Sequence, residues 1–297
     1  MSGTVVHLVD GTYELFRHHF ALPSHRTADG REVAALRGAA GSILRIVEEG
    51  ATHVAVATDH VIESFRNELW EGYKTSEGVP PELLGQFPLY EEVLRALGFV
   101  VWPMVEHEAD DALASAARKL VGDERVERIV ICSPDKDLAQ CLDPDGKVVL
   151  LDRRKGEFRD REWVIANFGV EPASVPDWLA LVGDKADGIP GVPGWGKSSA
   201  AALLAAYGSL DDIPDDPKAW RVKVRGAERL AASLREHSQE VQLWRRLARL
   251  VDSLFVFDDV DELAWRGPAP DAEAVCSQAD AAGLLERARR ITRSVPG

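Results

Sequence analysis

Cysteine is scarce in this sequence, and long apolar runs are lacking. The three cysteines, Cys132, Cys141 and Cys276, are an odd number without CxxC spacing. This argues against a zinc site and indicates reduced thiols in a cytoplasmic protein. No apolar run reaches the roughly 18 residues that a membrane helix needs, and the N-terminus has no basic leader. We therefore expect neither a membrane span nor a signal peptide.

Positive charge is also in short supply. The chain has 35 Lys and Arg against 49 Asp and Glu, a formal net charge of −14. Taken alone, this balance argues against a nucleic-acid partner. However, residues 218–249 contain nine Lys or Arg and three Glu, so this window carries a net charge of +6. It fits either a solvated helix face or a track for a phosphate backbone, and the sequence leaves both readings open.

Short runs rich in Val and Ile recur in the first half of the chain, with helical patterns between them. Their nearly continuous hydrophobicity is typical of strands buried on both faces; they span residues 4–10, 53–59, 99–103, 128–133 and 147–152. The alternation predicts an α/β fold with a mostly parallel sheet and helices on both of its faces. We predict an α/β domain over 1–175, a helical region over 176–265 and a small helical appendage over 266–297.

Acidic residues follow several of the predicted strands and begin predicted helices. In an open parallel sheet, ligands bind outside the carboxyl ends of the strands, so these side chains would converge on one crevice. Helix capping is the ordinary alternative at any one position. Hard oxygen ligands without a supporting His or Cys cluster suit Mg²⁺ or Mn²⁺. More carboxylates than one ion can use indicate two ions, an arrangement that recurs in enzymes that cut phosphodiesters. The nine candidate ligands are Asp10, Asp59, Glu108, Asp110, Asp111, Asp135, Asp137, Asp184 and Asp187.

The stretch GVPGWGKSSA (191–200) matches the Walker A pattern. A nucleotide-binding loop of that kind follows a buried strand and opens a helix. This stretch instead follows a charged segment that ends in proline, and Pro193 removes one of the amides that would hold phosphate. We therefore expect no nucleotide cofactor.

A different use of this stretch needs no nucleotide. Its glycines allow a tight turn between two helices. The amides that open the second helix would then meet a phosphate of duplex DNA, whatever its base sequence. The candidate contacts are Gly191, Gly194, Gly196, Lys197, Ser198 and Ser199.

Five motifs occur along the chain in an order that is typical of one family. They are LVDGTYELFR, SFRNELWEGYK, EADDALASAA, SPDKDLAQ and the segment that begins LVGDKADGIPG and runs through the glycine stretch. On these motifs the chain resembles the 5′-nuclease (flap endonuclease-like) superfamily, and within it the bacterial 5′→3′ exonuclease domain found at the N-terminus of DNA polymerase I. The resemblance covers about residues 4–265. Since no polymerase follows, we expect a stand-alone paralogue.

The resemblance implies a PIN-like sheet, a helical arch and a helix–three-turn–helix module that binds DNA. It implies that the nine carboxylates hold two divalent ions, and that loop 191–199 holds a potassium ion. Lys74 and Arg66 would act in catalysis by neutralising the scissile phosphate, and Arg17 would contact the DNA. The implied activity is a structure-dependent 5′-nuclease, a 5′→3′ exonuclease or flap endonuclease. Its substrate would be DNA with a 5′ flap or a 5′ end next to duplex, cut by a monomeric protein.

The sequence also departs from the family pattern. Glu77 lies near a position where the family places an arginine, and the arch segment has no Lys or Arg after Lys74. This weakens the expected grip on single-stranded DNA. Gly188 stands where asparagine is usual, and Lys197-Ser198 replaces Glu-Lys. The alternative is therefore a structure-specific DNA-binding protein with weak or no catalysis, and an RNA-directed PIN-type nuclease is a third hypothesis.

Overall fold

The computed structural model describes residues 3–294, and the chain divides into two compact units. Unit 1 consists of Met1–Ile62, Ser76–Ser133 and Asp252–Gly297, and unit 2 of Glu63–Thr75 and Pro134–Val251. Each unit is thus built from segments that lie far apart in the sequence. The domain boundaries predicted after residues 175 and 265 differ from this division and stay predictions.

Four parallel strands form the sheet of unit 1, in the order β3-β2-β1-β4. Unit 2 contains an antiparallel pair, β5 and β6. The strands are β1 Thr4–Asp10, β2 His53–Asp59, β3 Val100–Met104, β4 Val126–Cys132, β5 Val148–Asp152 and β6 Glu157–Arg159. The predicted parallel α/β fold is confirmed. The three-residue β6 was not predicted, since so short a strand leaves little periodicity in the sequence.

The two central strands of unit 1 are buried on both faces, which explains their continuous hydrophobicity. Val6, Leu8 and Val9 of β1 are fully buried, as are residues 54–57 of β2. In the register of this pair, Asp10 lies opposite Ala57. Because the strands are parallel, both carboxyl ends lie at the same edge of the sheet, where Asp10 and Asp59 are the last strand residues.

Helices lie between the strands and after them along the chain. Those of unit 1 are α1 Gly11–Ala21, α2 Ala34–Glu48, α4 Pro81–Leu84, α5 Phe87–Ala96, α6 Ala109–Val121, α12 Ala272–Gln278 and α13 Ala282–Ser294. Those of unit 2 are α3 Phe65–Leu69, α7 Arg161–Phe168, α8 Val175–Val182, α9 Lys197–Tyr207, α10 Ala227–Glu236 and α11 Ser238–Ala248. Over residues 3–294, none of these helices combines the length and apolar character that crossing a bilayer requires.

The last helix packs against α2 in unit 1. Arg287 of α13 forms an ion pair with Glu48 at 2.8 Å and donates a hydrogen bond to the carbonyl of Gly41. A β-carbon at Gly41 would lie 3.2 Å from a methyl carbon of Leu284. The absence of a side chain at Gly41 therefore lets α2 and α13 approach closely. This part of the predicted appendage belongs to unit 1.

The helical arch that the resemblance implies stays a prediction. Residues 70–80, all of them described, form turns and bends and contain no helix, and α4 has four residues. The sequence explains these turns, because Gly72, Gly78, Pro80 and Pro81 fall within ten consecutive residues. Glycine and proline are the two poorest helix formers. Gly78 also adopts a φ of +84°, which a continuous helix does not allow.

Candidate metal and phosphate sites

The carboxylates at the sheet edge of unit 1 are held by hydrogen bonds. Asp10 begins α1, where one carboxylate oxygen accepts the amide of Tyr13 at 2.8 Å. Its other oxygen accepts the hydroxyl of Ser133 at 2.8 Å. Asp59 accepts the amide of Ala109 at 2.7 Å, which connects the end of β2 to the start of α6. Two of the predicted ligands are therefore fixed in place before any ion binds.

Of the three acids at the start of α6, Glu108 and Asp111 also have a structural role in beginning the helix. Glu108 is the N-cap and is 5 % exposed, and Asp111 is fully buried. Asp111 accepts the amide of Glu108 at 3.0 Å, as a capping box does. Asp110 lies between them and is partly exposed. Since each carboxylate offers about four acceptor sites, one backbone hydrogen bond leaves oxygen lone pairs for a cation. Capping and ligation, the two alternatives raised by the sequence, are thus compatible.

Unit 2 brings three of the predicted ligands together. Asp137, Asp184 and Asp187 each offer a carboxylate oxygen, and these oxygens all lie within 4.8 Å of one another. Asp137 and Asp184 are buried, and a two-way backbone bridge between Asp184 and Ile189 holds the loop that carries the last two acids. Asp135 is exposed, and its carboxylate accepts the amide of Asp137 at 2.9 Å.

Lys136 lies inside this cluster, and the sequence analysis missed it. Its ammonium pairs with the carboxylate of Asp184 and lies 3.4 Å from that of Asp137. Burial alone would lower the pKa of Lys136, but the attraction of the carboxylates, Asp137 foremost, raises it. Lys136 lies within the motif SPDKDLAQ, where a single cation between two aspartates is the only sequence feature that points to it.

The charge balance of the cluster fits a divalent cation. Burial and the neighbouring carboxylate of Asp135 raise the pKa of Asp137 well above its usual range, because several negative charges share a poorly solvated space. The two ammonium groups at the cluster, those of Lys136 and Lys74, cannot offset the four carboxylates of Asp135, Asp137, Asp184 and Asp187. Oxygen donors without a His or Cys partner are the set that Mg²⁺ and Mn²⁺ prefer, so the residues present suit the predicted ions.

Lys74 lies at the edge of the same cluster. Its ammonium is 3.0 Å from a carboxylate oxygen of Asp187, and its side chain is 35 % exposed. The backbone amide of Lys74 donates to the carbonyl of Asp187 at 3.2 Å, and the Trp70 indole donates to the carbonyl of Gly188 at 3.2 Å. Residues 70–74 therefore form a strap that rests on the loop bearing Asp184 and Asp187.

The other two predicted cations are placed differently. Arg66 is 1 % exposed, and its guanidinium donates to the carbonyls of Leu247 at 2.9 Å and Arg249 at 3.1 Å. This geometry makes Arg66 a cross-link between α3 and the end of α11, and its predicted contact with a phosphate stays a prediction. Arg17 hydrogen-bonds to Glu14 and to Ser42 in unit 1. Its contact with DNA stays a prediction.

The glycine stretch connects α8 to α9, so it follows a helix and not a buried strand. Gly191 is buried with a φ of +76°, and a β-carbon there would lie 2.5 Å from the amide nitrogen of Gly183. This close backbone approach requires glycine. Gly196 is the N-cap of α9, and its amide is bonded to the Ser199 hydroxyl at 3.1 Å.

The exposed start of α9 is the part of this stretch that faces solvent. Gly194, Gly196, Lys197 and Ser198 are exposed, and Ser199 is partly exposed. Amides in a first helical turn have no acceptor within the helix, and the helix dipole favours an anion there. The start of α9 is thus suited to one phosphate group, while potassium at loop 191–199 stays a prediction.

Two family profiles cover nearly the whole chain. The 5′-3′ exonuclease, N-terminal resolvase-like domain, matches residues 5–169, and the 5′-3′ exonuclease, C-terminal SAM fold, matches residues 170–271. The chain belongs to the 5′-3′ exonuclease family. The resemblance inferred from the motifs is therefore confirmed.

The curated relatives of this chain include a 5′-3′ exonuclease and several DNA polymerases I. A 5′-3′ exonuclease of Aquifex aeolicus is 33 % identical over 210 residues, covering 70 % of this chain and 71 % of that protein. DNA polymerase I of Mycobacterium leprae is 35 % identical over 264 residues, covering 86 % of this chain and 28 % of the polymerase. DNA polymerase I of Pseudomonas aeruginosa is 34 % identical over 282 residues, covering 92 % and 30 % respectively. The chain thus spans less than a third of these polymerases.

Solved structures share the fold at low sequence identity. A structure of T5 5′-exonuclease with divalent metal ions (zinc) bound has a TM-score of 0.64 at 17 % identity, covering 97 % of each chain. The catalytic core of Rad2 in complex with a DNA substrate has a TM-score of 0.61 at 14 % identity, covering 98 % of this chain and 92 % of that one. The protein therefore shares the fold of these two solved structures.

Proposed function

We propose that this protein is a divalent-metal-dependent 5′-nuclease that hydrolyses DNA phosphodiesters at a 5′ flap, or at a 5′ end next to duplex, and leaves a 5′-phosphate. The observation that carries the proposal is the cluster of Asp137, Asp184 and Asp187 with Lys74 at its edge. The family supports nuclease chemistry, and its relatives with bound zinc or DNA support the metal and the substrate.

Each unit supplies carboxylates for one of two ions. In unit 2, Asp137, Asp184 and Asp187 would hold one, with Asp135 beside them. In unit 1, the ligands would be Asp10, Asp59, Glu108, Asp110 and Asp111. When bound, Mg²⁺ or Mn²⁺ supplies a water of lowered pKa and offsets negative charge at the phosphate. The protein's part is to hold these oxygens in place, and the backbone hydrogen bonds to Asp10, Asp59 and Asp111 do so.

Lys74 is the proposed catalytic cation. Its ammonium is partly exposed, so it is able to reach a substrate phosphate while Asp187 limits its freedom. A positive charge held beside the reacting phosphate stabilises the charge that develops there. Arg66 has no such role in this proposal, because its guanidinium is buried on backbone carbonyls.

The glycine stretch would hold the duplex. Its exposed amides at the start of α9, with Lys197 and Ser198, suit a backbone phosphate and carry no base preference. A structure-specific DNA-binding protein with little catalysis is the second candidate. It is favoured by Lys136, whose ammonium already pairs with Asp184 and lies close to Asp137, which a metal would need.

The test is cleavage of a 5′-labelled flap duplex with Mg²⁺ or Mn²⁺, with and without EDTA. The variant Asp187→Asn is compared with Asp145→Asn, which changes an exposed aspartate that is not one of the nine candidates. We expect cleavage that EDTA abolishes, a loss of at least a hundredfold for Asp187→Asn and none for Asp145→Asn. Cleavage that persists in EDTA would contradict the proposal. Tight binding of the flap duplex without cleavage in either metal would favour the second candidate.

A further inference from the structure

One buried carboxylate in unit 1 has no part in the proposed chemistry. Glu91 lies on α5 and is 2 % exposed. A carboxylate costs far more to bury than an apolar side chain unless hydrogen bonds satisfy its oxygens. Packing alone would therefore favour an apolar residue at position 91, as at most of the other buried positions of this helix. These are Phe87, Tyr90, Val93, Leu94 and Ala96.

Both oxygens of Glu91 accept hydrogen bonds from the end of β2. The Thr58 hydroxyl donates to Oε1 at 2.7 Å, and Nδ1 of the His60 ring donates to Oε2 at 2.9 Å. This nitrogen carries the proton, because an ionised carboxylate only accepts hydrogen bonds. Thr58 is fully buried, whereas His60 lies at the surface. Glu91 thus bridges the two residues on either side of Asp59.

The end of β2 has a partner strand on one side only. Its pairing with β1 ends at Ala57, two residues before Asp59, while its pairing with β3 continues to Asp59. On the unpaired side, the Asp59 amide donates to the hydroxyl of Thr12 at 2.7 Å. Side chains therefore hold this strand end where the hydrogen bonds of the sheet have stopped.

The bridge also bears on the direction of the Asp59 side chain. Thr58 and His60 both turn toward α5, where they meet Glu91. Asp59, between them, turns toward the start of α6 and accepts the amide of Ala109 at 2.7 Å. Opposite directions for successive side chains are the geometry of an extended strand. By holding both neighbours, Glu91 keeps the backbone of Asp59 in the conformation that gives its carboxylate this direction.

We infer that Glu91 is a positioning residue for the unit 1 metal site, and that it acts on a bound ion only through the backbone of Asp59. This inference rests on the proposed function, because it takes Asp59 as a metal ligand. A ligand binds an ion well when the groups behind it fix its position. Loss of such a supporting group typically weakens metal binding ten- to a hundredfold.

The test measures Mn²⁺ binding by isothermal titration calorimetry, alongside thermal unfolding in the absence of metal. E91L removes the bridge. The control is Q86L, since Gln86 is 2 % exposed at the start of α5 and accepts the amide of Leu36 on α2 at 3.1 Å. We expect E91L to weaken one of two Mn²⁺ sites at least tenfold and to leave the other unchanged. Q86L should lower Tm but keep both affinities.

Two further variants separate positioning from folding. E91Q keeps an acceptor for the Thr58 hydroxyl and a polar group for the His60 ring, so it should restore most of the lost affinity. T58V/E91L removes a buried donor together with its acceptor and leaves neither unpaired, which costs less stability than the loss of one partner. It should weaken the same Mn²⁺ site as E91L does, and it serves as the test if E91L does not fold.

The route through Asp59 has its own measurement. D59N should weaken the same Mn²⁺ site as E91L. The double variant D59N/E91L should bind no more weakly than D59N alone, because the bridge has no further ligand to position. Additive losses would show that Glu91 acts on the ion by another route, and they would overturn the inference.

The outcomes also separate this inference from the proposed function. Wild-type Mn²⁺ affinity in a folded E91L protein of lowered Tm would make Glu91 purely structural. That result would overturn the inference and leave the nuclease standing if the wild type cleaves flaps. A Mn²⁺ affinity that depends on Glu91, in a protein that cleaves nothing, would do the reverse. Failure of the wild-type protein to bind Mn²⁺ at all would overturn the inference.

Discussion

A β-carbon on Gly188 would lie 1.8 Å from the carbonyl oxygen of Gly72. The two glycines therefore meet backbone to backbone where the strap of residues 70–74 rests on the loop that carries Asp187. Gly188 also has a φ of +75°, a backbone conformation that is unfavourable for residues with a β-carbon. No side chain fits at this position unless the strap moves away. The departure noted in the sequence thus coincides with an unusually close contact beside the metal cluster.

Substitution of Gly188 should cost more than its φ alone explains. Gly146 is a matched control, since its φ is +74° and a β-carbon there would meet nothing within 4 Å. We expect Gly146→Ala to lower the free energy of unfolding by about 1 kcal/mol. Gly188→Ala should lower it further and reduce flap cleavage, because displacement of the strap moves Lys74. Urea unfolding and single-turnover kinetics measure both, and equal effects of the two variants would contradict the contact.

Replacing Lys136 should lower the stability of the metal-free protein and enlarge the stabilisation that a metal ion gives. Lys136→Met removes the cation that offsets Asp137 and Asp184, so the metal-free protein should melt at a lower temperature. Mg²⁺ or Mn²⁺ no longer competes with the ammonium, so the metal-induced rise in Tm should grow. Saturation at about a hundred times Kd corresponds to ~2.7 kcal/mol of stabilisation.

The control for this variant is Lys155→Met, an exposed lysine 3.9 Å from Asp152. We expect no change in its metal response. Differential scanning fluorimetry at a series of metal concentrations gives both quantities. A Lys136→Met protein with a smaller metal-induced shift than the wild type would show that the lysine assists the ion and does not compete with it.

Arg66 should prove structural and not catalytic. Arg66→Met leaves the carbonyls of Leu247 and Arg249 without their buried donor, so the free energy of unfolding should fall by about 2–3 kcal/mol. Arg246→Met, on an exposed part of α11, should leave stability nearly unchanged. Arg66→Lys should lower stability but keep kcat at temperatures where it is folded. A large fall in kcat at unchanged Tm would restore the predicted catalytic role.

His53 should make stability depend on pH. Burial lowers the pKa of His53, and attraction from Asp261 offsets this only in part. The folded state then holds the proton less tightly than the unfolded state. This contribution to stability is present above the ordinary histidine pKa of about 6.5 and is lost as the pH falls from there through the lower pKa of the folded state. The difference in free energy of unfolding between wild type and His53→Gln should be larger at pH 7.5 than at pH 5. The reverse order would refute the assignment.

The sequence predicted the parts of the molecule that a local pattern along the chain is enough to locate. Runs of Val and Ile predicted strands β1 to β5. Asp10 and Asp59 could be predicted to share one edge of the sheet, because parallel strands place their carboxyl ends at the same edge. Lys136 was missed, since a lysine between two aspartates in sequence has no fixed side-chain direction until Asp184 is packed beside it. The burial of the Arg66 guanidinium could not be predicted for the same reason. A motif specifies that an arginine is present, while only packing shows that its guanidinium meets backbone carbonyls.

The shape of the arch segment was also beyond the motifs. Resemblance predicted a helical arch, whereas the glycines and prolines of residues 70–81 favour turns. The glycine stretch was assigned to a helix–turn–helix from its context, and the close contact between Gly183 and Gly191 explains why glycine is needed at the second position.

The double use of the carboxylates in unit 1 bears on how such a protein changes over evolutionary time. Asp10, Asp59 and Asp111 each accept a backbone amide that begins or supports a helix. A lineage that stopped cutting DNA would still lose folding stability with each of these acids, about 1 kcal/mol for a typical cap. Selection for a folded chain alone is therefore enough to retain them. Asp187, set in a crowded negative cluster, is the position where relaxed selection would first leave a mark.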